Sequence, residues 1–282
     1  MDEVEVTEGC SFHCRIDGEM LCDECRTNPG RHAGYYQRQV VELPVSATED
    51  GVVGTLNLER AMKEGVKAFE PGLLAQANGN ILYVDEINLL EDQIVDVLLD
   101  SAAMGLNTVV REGVSYSHSA RFILIITMNQ EEGELWPQLL DRCGLMVEVH
   151  GEPEAEPCKE VVRRRLAFET GHAAFCAFYA PEQEKLRRRI TAAQNRLSQV
   201  VLSEALFDKA ARVCTALQVD GHRVDISILK TARALAALDG RQEAVEGDLQ
   251  QAAELDLPHR LRRAPFEQGG GAGINWEEVF HL

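Results

Sequence analysis

The sequence is poor in positive charge. It contains 28 Lys and Arg residues but 46 Asp and Glu residues, which gives a formal net charge of -18 and a pI near 4.9. Lysine is especially scarce, with the first one at position 63. Because binding to a phosphate backbone requires clustered Lys and Arg, this balance predicts a protein that does not bind nucleic acid.

Long apolar runs are also missing. No stretch approaches the roughly 18 consecutive apolar residues of a membrane-spanning helix, and no secretory signal peptide opens the chain. We therefore expect a cytoplasmic protein with no membrane span. In that compartment the eight cysteines are expected to be reduced thiols or metal ligands. The length of 282 residues and the 45% hydrophobic content suit one large or two modest folded domains.

Four of the cysteines are concentrated near the N-terminus. Cys10, Cys14, Cys22 and Cys25 form a C-x3-C-x7-C-x2-C pattern, and two close pairs can supply four thiolates to a tetrahedral zinc ion. The gap between the pairs is short for a zinc ribbon. Two other interpretations therefore stay open, namely unligated thiols in a loop or a redox-responsive pair at Cys22 and Cys25.

The stretch Ile81–Glu86 is a short apolar run that ends in two adjacent acids. It predicts a buried parallel strand whose carboxylates emerge at the carboxyl end, where open α/β sheets bind ligands. Asp85 would hold Mg²⁺ against nucleotide phosphates and Glu86 would polarise an attacking water, as in a Walker B strand. The alternative is a core strand followed by an acid that caps the next helix.

Three later segments extend this pattern. Thr108–Tyr116 predicts a projecting β-hairpin, and Phe122–Asn129 predicts a second buried strand. At the end of that strand Asn129 can orient the water that Glu86 activates, or simply cap the strand. The short helix Pro137–Arg142 ends in an arginine that is either an exposed cation or an arginine finger reaching a neighbouring subunit.

The segments before Ile81 predict half of a βαβ unit. Val40–Val45 is typical of a short strand, Gly51–Leu58 of a small hairpin, and Phe69–Ala77 of a helix that starts near its proline. A helix that feeds a buried strand through a tight turn favours a parallel sheet.

The C-terminal half is predicted to be helical. Helices are expected at Val161–Glu169, Pro181–Leu197 and Ser203–Val213, and a further helix follows Gly221 with Arg223 at its start. From the residues alone, Arg223 is expected to pair with Asp220 or Asp225.

Long stretches, in order along the chain, resemble the AAA+ ATPase subunit of magnesium chelatase and the related cobalt-chelatase ATPases. The most specific of them are Cys22–Cys25, Leu43–Asp50, Gly65–Ala75, Ile81–Leu90, Asp96–Ala103 and Glu131–Leu135. The resemblance implies an α/β fold with a parallel sheet of the P-loop NTPase type. It implies an α/β core domain at residues 1–152. This domain would contain the Cys-rich segment, an insert near Gly51–Glu70 and the Thr108–Tyr116 hairpin. An all-α lid at 153–268 and a flexible tail at 269–282 would follow.

The same resemblance implies roles for individual residues. Asp85 and Glu86 would be Walker B, with Asp85 as the Mg²⁺ ligand, and Asn129 would be sensor 1. Arg142 would be the arginine finger, and Arg223 would be sensor 2, touching the γ-phosphate of ATP. The implied function is the ATPase motor of a chelatase in chlorophyll or cobalamin biosynthesis. A ring of such subunits, expected to be a hexamer, would couple ATP hydrolysis to metal insertion into a tetrapyrrole such as protoporphyrin IX, held by a separate large subunit.

Some features depart from the family pattern. Such ATPases carry a G-x-x-x-x-G-K-[ST] phosphate loop, whereas this sequence contains no Gly-Lys pair. The first ten residues resemble the segment just after that loop, so we expect an N-terminal truncation that removes the first strand and the loop. Trp136 and Gln130 replace the usual Arg and Pro. These departures predict weak ATP binding. They keep two alternatives open, an inactive ring or scaffold subunit and a chaperone-like AAA+ ATPase.

Overall fold

The computed structural model describes residues 3–16, 18, 20–28, 30–56, 69–111, 114–129, 137–219, 221–261 and 276–280. The chain divides into two compact units, Met1–Arg142 and Cys143–Leu282. The domain limits at 152 and 268 inferred from the sequence stay a prediction. Most of the expected insert, Gln130, Trp136 and the glycine-rich stretch at 269–273 lie outside the described residues.

The first unit mixes short strands and helices. Its strands are β1 (Glu3–Thr7), β2 (Ala33–Gln37), β3 (Val40–Leu43), β4 (Gly54–Leu56), β5 (Phe69–Pro71), β6 (Ile81–Val84), β7 (Leu106–Arg111), β8 (Val114–Ser119) and β9 (Ile123–Ile126). Its helices are α1 (Asp23–Thr27), α2 (Glu49–Val53), α3 (Leu73–Ala77), a 3₁₀ turn (Ile87–Leu89), α4 (Asp92–Met104) and α5 (Pro137–Arg142).

A three-stranded parallel sheet forms the centre of this unit. Strand β6 lies between β3 and β9, and Val84 at its end is in register with Leu43 on one side and Ile126 on the other. Leu82 and Val84 are completely buried. The predicted parallel sheet is therefore confirmed, and the carboxyl ends of β6 and β9 lie at the same edge. The expected burial of the second strand is wrong, because β9 lies at the edge of the described sheet and its Ile123 and Ile125 are exposed.

The expected hairpin at Gly51–Leu58 is wrong. Thr48 caps α2 by accepting a hydrogen bond from the Gly51 N–H at 3.3 Å, so residues up to Val53 are helical. Gly54 then adopts φ +94° and begins β4, which pairs with β5 in an antiparallel ribbon. A Cβ atom at Gly54 would come within 2.5 Å of the Glu70 carbonyl oxygen, which is why this position requires glycine. The ribbon also means that Phe69–Pro71 is a strand and not the start of a helix.

The predicted projecting hairpin is present as β7 and β8, which pair from Leu106–Ser119 to Arg111–Val114. Its turn at 112–113 lies outside the described residues. The ring of Tyr116 stacks on Phe69 with centroids 4.3 Å apart and lies 5.8 Å from the ring of Phe12. The hairpin, β5 and the N-terminal loop thus share one aromatic cluster.

The second unit is built from α6 (Ala155–Thr170), α7 (His172–Leu197), α8 (Glu204–Ala216), α9 (Arg223–Leu238), α10 (Glu246–Asp256) and α11 (Trp276–Phe280). Both of the first two helices are longer than predicted. Helix α6 begins at Ala155 instead of Val161, and α7 begins at His172 and continues through Pro181. The core lies among α8 to α11, with Ile228, Leu249 and Leu257 fully buried. Among the described helices, none combines the length and the apolar character needed to cross a bilayer.

Candidate active site

Asp85 and Glu86 follow directly on β6, at the carboxyl edge of the sheet. Glu86 adopts the left-handed conformation, with φ 49° and ψ 57°, and occupies the N-cap position of the 3₁₀ turn. Its side chain makes no capping hydrogen bond, so the interpretation of this acid as a helix cap is not supported. Non-glycine residues in this strained conformation are concentrated at functional sites.

Thr127 connects the two acids, and the sequence had not singled it out. Its hydroxyl donates to Asp85 Oδ1 at 2.5 Å and accepts from the Glu86 N–H at 3.1 Å. Its backbone completes the arrangement, since the Thr127 N–H donates to the Val84 carbonyl and the Ile87 N–H donates to the Thr127 carbonyl, both at 3.0 Å. Thr127 is the first polar residue after β9, and the parallel register places it beside Asp85. That position was the signal available in the sequence.

The pKa of Asp85 lies below its ordinary value. The hydrogen bond from Thr127 is the main cause, and the Tyr83 hydroxyl, which donates to the same Oδ1 at 2.8 Å, adds to it. In return, the carboxylate raises the pKa of Tyr83. Asp85 is therefore ionised at neutral pH, and Oδ2 has no hydrogen-bond partner among the described residues. An anchored carboxylate with one accessible oxygen suits a hard cation such as Mg²⁺.

Asn129 is exposed and lies three residues beyond the end of β9. Because β6 and β9 are parallel neighbours, Asn129 follows the sheet at the same edge as Asp85 and Glu86. Its role in positioning water stays a prediction.

Arg142 is the last residue of α5. Its Nη1 donates to Asp100 Oδ1 of α4 at 2.6 Å, in a pair whose side chains are 38% and 56% exposed. The structure therefore places the predicted finger in an exposed ion pair within its own chain. An exposed pair of this kind contributes under about 1 kcal/mol to stability, so it can be exchanged for a stronger partner.

Arg223 is the first residue of α9, in the second unit. At this helix start, Nδ1 of the preceding residue, His222, lies within hydrogen-bond distance of Asp225 Oδ2, at 3.0 Å. Asp220 lies outside the described residues. Contact between Arg223 and a γ-phosphate stays a prediction.

Comparison with known proteins identifies the family. Residues 56–150 match the family model of magnesium chelatase subunit ChlI, and residues 208–278 match an AAA lid domain. The chain is 49% identical, over 95% of its length and 74% of the relative's, to a magnesium-chelatase subunit ChlI homolog of Methanocaldococcus jannaschii. This chain belongs to the magnesium chelatase ChlI family. The magnesium-chelatase 38 kDa subunit of Acidiphilium rubrum is 50% identical over 92% of the chain and 76% of that subunit.

Membership of the ChlI family confirms the resemblance inferred from the sequence, and with it the AAA+ α/β fold followed by a helical lid. A solved structure of a proposed ATPase from Cytophaga hutchinsonii supports the fold alone. It superimposes with a TM-score of 0.57 over 86% of this chain and 74% of that one, at 16% identity. The ChlI relatives are chelatase subunits of the AAA+ ATPase type.

ATP and Mg²⁺ are the cofactors that the ChlI family implies. The described residues fit the metal, because Asp85 is ionised, anchored through Oδ1 and exposed.

Proposed function

We propose that this chain is an AAA+ motor subunit of magnesium chelatase, which couples ATP hydrolysis to magnesium insertion into a tetrapyrrole such as protoporphyrin IX. The observation that carries the proposal is the pair of acids after β6, in which Thr127 holds the Asp85 carboxylate and the Glu86 backbone N–H, in a chain about half identical to magnesium-chelatase subunits. Cobalt insertion remains the related alternative, and the cytoplasm is the proposed location.

Each residue at the sheet edge has a distinct part in this proposal. Asp85 would hold Mg²⁺, and Thr127 and Tyr83 fix its carboxylate by donating to Oδ1. Glu86 accepts a proton from the attacking water, and Asn129 orients that water by hydrogen bonding. The left-handed turn at Glu86 and its N–H bond to Thr127 fix the backbone from which its carboxylate extends.

Two arginines would also contact the nucleotide, Arg142 from a neighbouring subunit and Arg223 from the lid. Arg142 leaves the exposed pair with Asp100 and contacts the nucleotide of a neighbouring subunit in a ring, expected to be a hexamer. Arg223, at the start of α9 in the lid, contacts the γ-phosphate. The relatives are named as subunits, which supports an assembly that includes a separate large subunit for the tetrapyrrole.

The second candidate is a ring member that binds ATP poorly and serves as a scaffold. Both candidates predict incorporation into a ring with intact ChlI subunits. They differ in whether Glu86 of this chain contributes to turnover.

A mixing experiment tests the proposal. This chain is titrated into an intact magnesium-chelatase subunit, and Mg²⁺-dependent ATP hydrolysis is measured with wild type, Glu86→Gln and Arg142→Ala. The controls are Glu91→Gln, the same chemical change five residues downstream at an exposed position, and Arg188→Ala, which removes another exposed ion pair.

A motor subunit requires that Glu86→Gln and Arg142→Ala lower the rate of the mixture below that of the wild-type mixture, while both controls match wild type. Equal rates with wild type and Glu86→Gln identify the scaffold instead. No change in rate at any ratio, together with no co-elution of the two chains, rejects both candidates. Magnesium insertion into protoporphyrin IX, followed by fluorescence after adding the large subunit, then tests the coupling.

A further inference from the structure

The four N-terminal cysteines, which the nucleotide chemistry does not use, come together in the folded chain. Cys10, Cys14, Cys22 and Cys25 are 5%, 1%, 1% and 3% exposed. Their sulfur atoms all lie within 4.8 Å of one another, and the Sγ atoms of Cys10 and Cys22 are 3.7 Å apart. Two sequence pairs separated by a seven-residue gap thus form one buried cluster.

The spacing of the sulfur atoms fits a bound ion better than a disulfide. Zinc–sulfur bonds of about 2.3 Å in a tetrahedron place neighbouring sulfurs about 3.8 Å apart. The distance between Cys10 and Cys22 is close to that value, whereas a disulfide requires about 2.05 Å. Because no sulfur–sulfur distance exceeds 4.8 Å, the contraction that zinc requires is at most about 1 Å, which rotation of cysteine side chains can supply.

The backbone around the cluster is arranged to present two pairs of thiols. After β1, Gly9 turns with φ +70°, and the Cys10 N–H donates to the Thr7 carbonyl at 3.2 Å. His13, with φ 46°, turns the chain again just before Cys14. From the second pair, the Cys22 N–H donates to Cys14 Sγ at 3.2 Å. Such an N–H bond stabilises a thiolate ligand from outside the metal shell.

The described surroundings of the four cysteines are apolar. Phe12, Ala75 and Tyr116 are buried against the four cysteines. Arg31 lies near the cluster, where its Nη2 pairs with Glu24 Oε1 at 2.5 Å and its charge also interacts with Cys25 and Cys10.

We propose that Cys10, Cys14, Cys22 and Cys25 bind one zinc ion as a closed tetrathiolate site of structural function. Binding displaces one proton from each thiol, so the affinity falls as the pH is lowered. The ion joins the loop after β1 to helix α1, and through Phe12 and Tyr116 it fixes that loop against the β7–β8 hairpin. The site is independent of the nucleotide chemistry proposed above.

Metal content of the full chain provides the first test. Protein purified without chelator, or refolded anaerobically with zinc and a thiol reductant, is expected to hold about one zinc per chain by elemental analysis. Cys14→Ser and Cys22→Ser are expected to lower that content at least about tenfold. Cys158→Ser, which removes an exposed cysteine in α6, is the matched control and retains the zinc.

Cobalt substitution provides a test that needs no variant to fold. The wild-type chain loaded with Co²⁺ is expected to show the intense visible and sulfur-to-metal absorption of a tetrahedral tetrathiolate. Cys25→His preserves a ligand set found in structural zinc sites and is expected to keep the metal with a shifted spectrum.

Two results would overturn the proposal. One is wild-type protein that, reduced and reconstituted with zinc, carries no stoichiometric metal while its buried thiols react as free thiols or form a Cys22–Cys25 disulfide. The other is a full complement of zinc in both Cys14→Ser and Cys22→Ser.

Discussion

The Asn78 side chain is hydrogen-bonded to the loop that carries Cys10 and Cys14, and its replacement should destabilise the first unit. This side chain is only 4% exposed, yet all of its polar atoms are bonded. Nδ2 donates to the carbonyls of Phe12 and His13 at 2.9 and 3.1 Å. Oδ1 accepts from the Arg121 N–H at 3.0 Å and from the Ser119 hydroxyl at 3.2 Å. One amide thus links the loop that carries Cys10 and Cys14 to the segment between β8 and β9.

The magnitude follows from these four bonds. A hydrogen bond contributes about 1 kcal/mol net, so Asn78→Ala should destabilise the first unit by about 4 kcal/mol. Asn78→Asp is nearly isosteric and keeps both accepted bonds, but its second oxygen would face the two backbone carbonyls. We therefore expect Asn78→Asp to be more destabilising than Asn78→Ala, although it changes the side-chain volume far less.

Hydrogen exchange measured by mass spectrometry suits this prediction, because the chain has two units and global unfolding need not be two-state. At equal metal content, about 4 kcal/mol corresponds to roughly thousandfold faster exchange in peptides from residues 7–14 and 81–86. Peptides of the second unit should not change. Asn195→Ala, at an exposed site in α7, should change exchange little. A loss below about 1 kcal/mol in Asn78→Ala, or an Asn78→Asp variant as stable as wild type, would refute the reasoning.

Three further outcomes can be checked. Thr127→Val should raise the pKa of Asp85 toward its ordinary value, because the strongest bond to the carboxylate is lost, whereas Thr127→Ser should not; carboxyl NMR titration measures this. Leu249→Ala should destabilise the lid by about 2–5 kcal/mol in thermal denaturation, since Leu249 is completely buried. Burial acts to raise the pKa of Asp248, but the hydrogen bonds from Arg241 and the Val245 N–H outweigh it and hold that pKa below 3.8. This contribution to stability is present above pH 3.8 and is lost as the pH falls through the folded-state pKa. The free energy of unfolding of Asp248→Asn, measured by urea denaturation at several pH values, should therefore depend less on pH in the acid range.

Asn78 and the proposed zinc ion both stabilise the loop at residues 10–14. Asn78 holds the backbone of residues 12 and 13, and the proposed ion holds Cys10 and Cys14 on either side of them. Removing either should loosen the loop, and removing both should cost less than the sum, because each then acts on an already mobile segment.

The local elements that the sequence predicted well have strong short-range signals. The apolar runs at Ile81 and Phe122 both form strands, and the two strands are parallel neighbours, although Leu82 and Val84 of β6 are buried while Ile123 and Ile125 of β9 are exposed. The β7–β8 hairpin was predicted from a different local signal, the alternation of apolar and polar residues on either side of a Glu-Gly pair in the sequence. The pairing of β4 with β5 was missed because the partners are separated by residues 57–68, and such a pairing leaves no local pattern.

The sequence by itself determined the fold class and the family, because apolar periodicity and the order of long matched stretches are properties of the linear chain. Only the tertiary structure decided that Thr127 holds Asp85 and Glu86, that Arg142 pairs with Asp100, and that four cysteines form a single cluster. Hydrogen bonds and metal ligation depend on distances of a few ångströms between residues far apart in the chain, and folding alone sets those distances.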